Sequence, residues 1–161
     1  METAFLEIVE THQNIIHKVC RMYRDSKEDQ EDLFQEIVLQ LWKGFPHFRQ
    51  EAKVSSWMYR IALNTAITVF RKNKVALDFE DDLSKTAQQS QEQTSSENEE
   101  KMFEAIRKLN EVEKALIALY LEDYAYREIA GIMGISENYV GVRLNRIKNK
   151  LKNLINWKSW N

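Results

Sequence analysis

The stretch YREIAGIMGISENYVGVRL, from Tyr126 to Leu144, has the pattern of a helix, a tight turn and a second helix. Gly134 stands where the chain would turn with positive φ, and Ser136 follows at a position suited to cap the next helix. Apolar residues recur at helical spacing through that second helix. They are Val140, Leu144, Ile147 and Leu151. The pattern predicts a helix-turn-helix unit.

The other faces of the second helix are predicted to carry amide, tyrosyl and basic side chains. These are Asn138, Tyr139, Arg143, Asn145, Arg146, Lys148, Lys150 and Lys152. Such a helix fits the major groove of duplex DNA, with its N-terminal half near base edges and its basic end near phosphates. The alternative is a helical packing unit with a basic exposed face. Because the pattern is more specific than a basic patch, it favours DNA binding.

The composition favours an all-α protein. The 161 residues are 43% hydrophobic but include only four Gly and one Pro, which leaves little turn chemistry for a many-stranded sheet. The single cysteine, Cys20, excludes an internal disulfide, and the N-terminal residues are acidic where a signal peptide would be basic. The longest apolar run, Ala115 to Leu121, is too short to span a membrane. These features predict a cytoplasmic protein.

Charge divides the chain into three segments, although the formal net charge is only -2. Residues 1–75 have 11 Lys/Arg and 10 Asp/Glu, residues 76–100 have 1 and 8, and residues 101–161 have 11 and 7. The middle segment is rich in Gln, Ser and acids and cannot bury enough apolar surface to order itself. It therefore predicts an acidic linker over 76–100 between helical domains at 1–75 and 101–161.

Two helices are predicted in the first half of the N-terminal domain. FLEIVETHQNIIHKVCRMY reads as one core-facing helix, and EDLFQEIVLQLWKGF as a second. The second helix directs an apolar stripe inward and leaves acidic, amide and indole groups outside it: Asp32, Gln35, Glu36 and Trp42. An outward Trp beside carboxylates is typical of a partner surface. The alternative is a solvated acidic face with a half-buried Trp.

The next helix, SSWMYRIALNTAITVFRKNK, is predicted to face the core through Met58, Ile61, Ala62, Thr65 and Val69. Aromatic, basic and amide residues crowd this helix and the loop before it: Phe48, Trp57, Tyr59, Arg60 and Asn64. Such side chains stack on unpaired bases and hydrogen-bond with them. Arg71, at the end of the helix, has the alternative role of complementing the helix dipole.

In this order the three segments resemble an RNA polymerase sigma factor of the extracytoplasmic-function (ECF) class, over nearly the whole chain. The resemblance implies a region 2-like helical bundle and a region 4-like helix-turn-helix, joined by the linker. It implies core polymerase, promoter DNA and an anti-sigma factor as partners. The polymerase-binding residues it implies are Asp32, Gln35, Glu36 and Trp42. The residues it implies for the melted minus-10 strand are Phe48, Lys53, Trp57, Tyr59, Arg60, Asn64 and Arg71.

The C-terminal helix would read the minus-35 duplex, where the sequence departs from the family pattern. Family members often have a basic and a small hydroxyl residue just after the position of Val140, and this chain has Gly141 and Val142. Thr68 also replaces an acid common in the melting helix. The minus-35 contacts are therefore assigned to Arg127, Ser136, Tyr139, Arg143, Asn145, Arg146 and Lys148. Within that set, Arg146 and Lys148 are expected to contact phosphates.

Other classes of function find less support in the sequence. No nucleophile motif or phosphate-binding Gly-rich loop is present, and His17 with Cys20 makes only a pair of metal ligands. We therefore expect neither catalysis nor a metal or other cofactor. The rival interpretation is a helix-turn-helix regulator with an N-terminal dimerisation or sensing domain. It leaves the cluster between Trp57 and Asn64 unexplained.

Overall fold

A computed structural model describes residues 2–49, 53–79 and 97–155 of the chain. These residues form α-helices and one short 3-10 helix and contain no strand, which confirms the all-α prediction. The chain divides into two compact units, Met1–Gln93 and Thr94–Asn161.

Unit 1 is a bundle in which α2, α3 and α4 each pack against the other two. Its elements are α1 (Glu2–Thr11), α2 (Gln13–Tyr23), α3 (Lys27–Gly44), a 3-10 helix (Phe45–His47) and α4 (Val54–Phe79). Apolar side chains from all three packed helices fill the core, and Ile16, Ile37 and Ala62 are fully buried. The free thiol of Cys20 lies in this core, and burial raises its pKa to about 12.

The prediction of a single N-terminal helix was wrong, because the chain forms two helices there. The chain breaks between α1 and α2 at His12, whose φ of -113° and ψ of 19° are not helical. The His12 Nδ1 atom lies 3.2 Å from the carbonyl oxygen of Ile8. The break accompanies a tertiary contact, because α1 packs its buried Phe5 ring against Trp42 and Phe45, with ring centroids 5.0 and 5.4 Å apart.

Helix α3 begins at Lys27, four residues before the quoted apolar segment. Ser26 caps it, because the Ser26 Oγ accepts a hydrogen bond from the backbone N–H of Asp29 at 3.1 Å. Leu33, Ile37 and Leu41 are buried as predicted. The helix ends at Gly44, where Pro46 follows in the 3-10 helix.

Unit 2 is built around α8. Its elements are α5 (Glu97–Arg107), α6 (Glu111–Leu121), α7 (Tyr126–Met133) and α8 (Glu137–Ile155). Helices α5, α6 and α7 all pack on α8, so the helix predicted to enter DNA is held by three neighbours. The stripe predicted at Val140, Leu144, Ile147 and Leu151 is fully buried, which confirms it.

Helical structure enters the predicted linker from both sides. Helix α4 continues to Phe79 and α5 begins at Glu97. Residues 76–79 include Ala and Leu, which favour helix, and the acids of the first turn of α5 suit a helix N-terminus. The rest of the predicted linker, 80–96, lies outside the described residues. No helix within the described ranges is long and apolar enough to cross a membrane.

Candidate functional site

One face of α4 gathers most of the side chains predicted to hold an unpaired strand. Arg60, Asn64 and Arg71 are exposed, and spacings of four and seven residues place them on one side of the helix. Lys53, just before the helix, is also exposed. The opposite side packs on both α2 and α3. Core packing therefore fixes the direction in which the amide and guanidinium groups point.

Two aromatic side chains border this face. The rings of Phe48 and Trp57 lie 4.6 Å apart, centroid to centroid, with their planes inclined by 31°. Both residues are partly exposed, and the Phe45 ring also lies near Trp57, 6.3 Å away from centroid to centroid. A partly exposed aromatic pair beside cationic and amide groups offers a surface on which bases can stack.

Tyr59 does not belong to this face, and its assignment to DNA contact needs correction. The residue is 2% exposed and lies in the core of unit 1. Because α4 packs against two helices rather than one, its buried stripe is wide and also takes in Leu63, Ala66 and Ile67. Ile61 and Val69, predicted for the core, are only half-buried.

Thr68, which replaces the acid common in the family, bonds to its own helix. Its Oγ1 donates to the carbonyl oxygen of Asn64 at 2.9 Å. This bond uses the backbone of Asn64 and leaves the carboxamide group of that side chain on the exposed face.

The outward face of α3 carries the four residues predicted to bind polymerase. Asp32 and Gln35 are exposed, Glu36 accepts a hydrogen bond from Gln40 Nε2 at 3.2 Å, and Trp42 is 42% exposed over Phe5.

Sequence reasoning missed Leu39, which is 43% exposed. It lies four residues after Gln35 and three before Trp42, and so in the middle of the same α3 face. That spacing was the available signal.

The turn between α7 and α8 has the predicted chemistry. Gly134 takes a left-handed conformation with φ 72°, and its N–H donates to the Ala130 carbonyl oxygen at 2.8 Å. Ser136 caps α8, since its Oγ accepts a hydrogen bond from the Tyr139 N–H at 3.1 Å. Both sequence predictions for this turn are confirmed. The cap also means that the Ser136 hydroxyl is already engaged within the protein.

A buried carboxylate anchors the far half of α8. The carboxylate oxygens of Glu113 in α6 accept hydrogen bonds from Lys150 Nζ at 3.1 and 2.8 Å. One of them also accepts a hydrogen bond from the backbone N–H of Asn110 at 3.0 Å. Burial by itself would raise the pKa of Glu113, but the bonds from Lys150 and Asn110 and the nearby charges of Lys150 and Arg143 outweigh it. The net pKa of Glu113 is lowered, so the carboxylate stays ionised.

The predicted minus-35 residues do not all point the same way. Asn145, Arg146 and, on α7, Arg127 are exposed. The guanidinium of Arg143 lies 5.6 Å from the Tyr139 ring centroid, which pairs these two residues on one flank of α8.

Lys148 turns toward its own unit instead. Its Nζ lies 4.0 Å from the Tyr120 ring centroid. Burial would lower the pKa of Lys148, but hydrogen bonds with Tyr120 and Tyr126 raise it overall. In this conformation its charge is held by two tyrosines rather than directed to a phosphate.

A shallow groove lies between α8 and the first residue of α7. Its walls include Tyr126, Gly141, Val142, Asn145 and Arg146. A Cβ atom at Gly141 would lie 3.5 Å from the Tyr126 ring. Sequence reasoning did not find Tyr126, because the approach of α7 to α8 is a tertiary feature. Among the side chains that the structure describes, no three His, Cys, Asp or Glu groups converge as a metal site would require.

A cationic, amide-bearing helix beside paired aromatic rings, together with a helix-turn-helix unit, is typical of a DNA-binding protein. Residues 8–75 match the family model for Sigma-70 region 2, and residues 99–151 match that for Sigma-70, region 4. The chain belongs to the ECF class of RNA polymerase sigma factors. This membership assigns it promoter recognition in transcription initiation, in preference to the rival regulator interpretation.

Relatives agree in sequence and in fold. The chain is 30% identical over 166 residues to the ECF RNA polymerase sigma-E factor of Haemophilus influenzae, covering 94% of this chain and 87% of the relative. It is 26% identical over 156 residues to ECF sigma factor SigM of Mycobacterium tuberculosis, covering 96% and 78%. The sigma factor RpoE from Bartonella quintana, solved in complex with the anti-sigma factor NepR, matches with TM-score 0.75 and 18% identity, covering 98% of this chain and 97% of that one.

Proposed function

We propose that the protein grips a promoter at two places, using the outward face of α4 for the melted minus-10 strand and α8 for the minus-35 duplex. The observation that carries this proposal is the α4 face itself. Exposed Arg60 and Asn64 stand beside the Phe48 and Trp57 ring pair on a helix whose other side is core. Residues 8–75, which include all four, match Sigma-70 region 2.

Opening of the promoter duplex then requires no reaction catalysed by the protein. Stacking on Phe48 and Trp57 and hydrogen bonds from Asn64 are available only to bases that have left the duplex. A surface that binds the open state and not the closed state shifts the equilibrium toward opening by its differential affinity. The protein acts as a non-catalytic subunit, and polymerase performs the polymerisation.

The polymerase-binding surface is the outward face of α3. It combines the negative charge of Asp32 and Glu36 with the exposed apolar groups of Leu39 and Trp42. Exposed apolar groups beside charged ones are typical of a protein interface. The acidic groups favour a basic partner surface.

The setting and regulation follow from the same assignment. The protein works in the cytoplasm, where core polymerase is found. The solved relative from Bartonella quintana is bound to an anti-sigma factor. We extend this to the present chain and propose that a protein of that kind holds it inactive.

Asn64→Ala tests the minus-10 assignment. The variant loses hydrogen bonds that form only with an extruded base, so opening should fall about ten-fold while binding to core polymerase is retained. Run-off transcription gives the activity, and permanganate reactivity of promoter thymines measures opening.

Asn14→Ala is the matched control, because it removes the same amide from an exposed position in α2. Thymine reactivity that is unchanged in Asn64→Ala, or equally reduced in both variants, would contradict the role given to Asn64.

A further inference from the structure

Val142 is an exposed apolar side chain in the middle of a polar helix face. It is 46% exposed. Asn138 lies four residues before it, and Asn145 and Arg146 lie three and four after, so all of them share its side of α8. All four also line the groove beside α7. The face therefore presents one branched aliphatic group among amide and guanidinium donors, and the carboxylate-bearing Glu137 also lines the groove.

Gly141 keeps the groove beside Val142 open. A Cβ at this position would meet the Cε2 and Cδ2 atoms of Tyr126 at 3.5 and 3.6 Å, which is ordinary van der Waals contact. The glycine is therefore not needed to avoid a clash, and it costs the helix about 1 kcal/mol relative to alanine. What it does is expose helix backbone and the edge of the Tyr126 ring to a group that enters from outside.

The chemistry of this groove suits one feature of duplex DNA. The thymine 5-methyl is the apolar group on the major-groove edges of the bases, and aliphatic side chains recognise it by contact. Asparagine recognises adenine through N6 and N7 on the same edge of the duplex. Val142 and Asn145, three residues apart on a helix, have Cβ atoms about 5–6 Å apart, which is within reach of one base pair or two adjacent ones.

We propose that Val142, Gly141 and Tyr126 form a pocket for a thymine methyl group in the upstream promoter element, with Asn145 hydrogen-bonding an adenine of the same or the adjacent pair. The proposal rests on the proposed role of α8 in the minus-35 duplex and gives that role a sequence preference. Specificity at this point comes from an apolar contact, while Arg146 and Arg127 contribute cationic groups that serve any sequence.

The test uses the full chain assembled with core RNA polymerase. Randomised duplexes first give the upstream element that the holoenzyme selects. Each thymine of that element is then replaced singly by deoxyuridine, which removes only the 5-methyl group. At one position we expect holoenzyme affinity to fall about four-fold, the effect of losing one buried methyl contact. An element without thymine, or one in which every deoxyuridine is neutral, would overturn the proposal.

Two substitutions locate the effect on the protein. Val142→Ser should abolish the difference between thymine and deoxyuridine at the sensitive position, as a double-mutant cycle requires when the two groups touch. Leu154→Ser is the matched control, because Leu154 is also exposed on α8, at 43%, but does not line the groove. It should leave the difference intact. A difference that survives in Val142→Ser would overturn the assignment.

Gly141→Ala separates recognition from folding. The added methyl fits against Tyr126 and improves helix propensity, so the melting temperature of the free protein should rise. The same methyl narrows the pocket, so the ratio of holoenzyme affinities for the thymine and deoxyuridine duplexes should fall toward one. A variant that melts higher and discriminates fully would contradict the pocket.

Failure of the pocket can be distinguished from failure of the α8 assignment. If Arg146→Ala weakens binding to every duplex while deoxyuridine and Val142→Ser are neutral, α8 contacts DNA but the methyl pocket is wrong. If the holoenzyme selects no upstream element and Arg146→Ala is neutral, both proposals fail together.

Discussion

Glu113 shows how much of unit 2 depends on one carboxylate. It caps the start of α6 through the Asn110 N–H and binds Lys150 of α8, so it joins the two helices. The Glu113 side chain is 6% exposed, while that of Lys150 is 55% exposed. A pair with one partner in water avoids most of the desolvation cost that fully buried ion pairs carry. The polar contact between the start of α6 and the far half of α8 therefore depends on an ionised Glu113.

Unit 2 should lose stability in acid because of this residue. The folded-state pKa of Glu113 lies below its ordinary value of 4.5, so its stabilising contribution is complete above that value and is lost as pH falls through the folded pKa. Glu113→Gln should cost about 1–2 kcal/mol at pH 7 and flatten the dependence below pH 4.5. Thermal melting from pH 7 to pH 3 measures both effects.

Glu104→Gln provides the control for that series, because Glu104 is exposed on α5. It should melt like the parent at neutral pH and keep the acid dependence. A Glu113→Gln protein with the same acid dependence as the parent would show that other carboxylates control the unfolding.

Single residues were predictable where their role is local. Gly134 and Ser136 were identified because a left-handed turn and a helix cap each need particular residue types at one position. Tyr59 was misassigned because its neighbours along the chain do not reveal how many helices will cover α4. Tyr126 was missed for the same reason, since its contact with Gly141 joins two helices.

At the scale of the element, α3 presents its outward face as a unit. Residues four apart, such as Asp32 and Glu36, lie one turn apart on the helix, and Leu39 continues the same side. The combination of acidic and apolar groups on one face supports the proposed polymerase-binding surface. The alternative interpretation, a solvated acidic face, gives no reason for two large apolar residues, Leu39 and Trp42, to stand exposed there.

Glu36→Lys should weaken binding to core polymerase about ten-fold or more, because it reverses a charge inside the proposed interface. Co-purification of tagged chain with core enzyme measures it. Glu104→Lys makes the same charge change at an exposed position on α5, outside unit 1, and should bind as the parent does. Equal recovery of polymerase with the parent and with Glu36→Lys would show that this face of α3 is a solvated surface and not the polymerase interface.

Element boundaries were harder to predict than element types. The break at His12 follows no proline or glycine, and the spacing of apolar residues on both sides of it indicates one continuous helix. The residues that Phe5 contacts, Trp42 and Phe45, are more than 30 residues away from it along the chain. The ends at Gly134 and Ser136 were predicted from residue type, whereas the start of α3 at Ser26 was not.

For the whole molecule, the small net charge of -2 limits what the free chain can do. Nonspecific affinity for duplex DNA comes from phosphate neutralisation and requires an excess of cations. The exposed cations of the two proposed DNA-binding helices, such as Arg60 on α4 and Arg146 on α8, are divided between two units. Promoter binding should therefore depend on the polymerase to hold both units in place.

We expect the chain alone to bind promoter duplex weakly and core polymerase to convert it into a site-specific initiation factor. Two contacts carried by one chain strengthen each other, because the first contact raises the effective concentration of the second at its site. Fluorescence anisotropy of the free chain and run-off transcription on genomic fragments measure the two states. If adding the chain to purified polymerase produces no initiation at specific sites, the prediction is contradicted.

The aromatic contacts of unit 1 have a thermodynamic consequence. Trp42 touches Phe5, Phe5 touches Phe45, Phe45 touches Trp57 and Trp57 touches Phe48. A continuous row of rings thus joins the α3 face to the edge of the α4 face. If docking of polymerase on Trp42 improves the hold on an unpaired base at Phe48 by some factor, the captured base must tighten the polymerase interface by that same factor. An opened promoter would then lock its own initiation factor in place, and reannealing of the strands would loosen it.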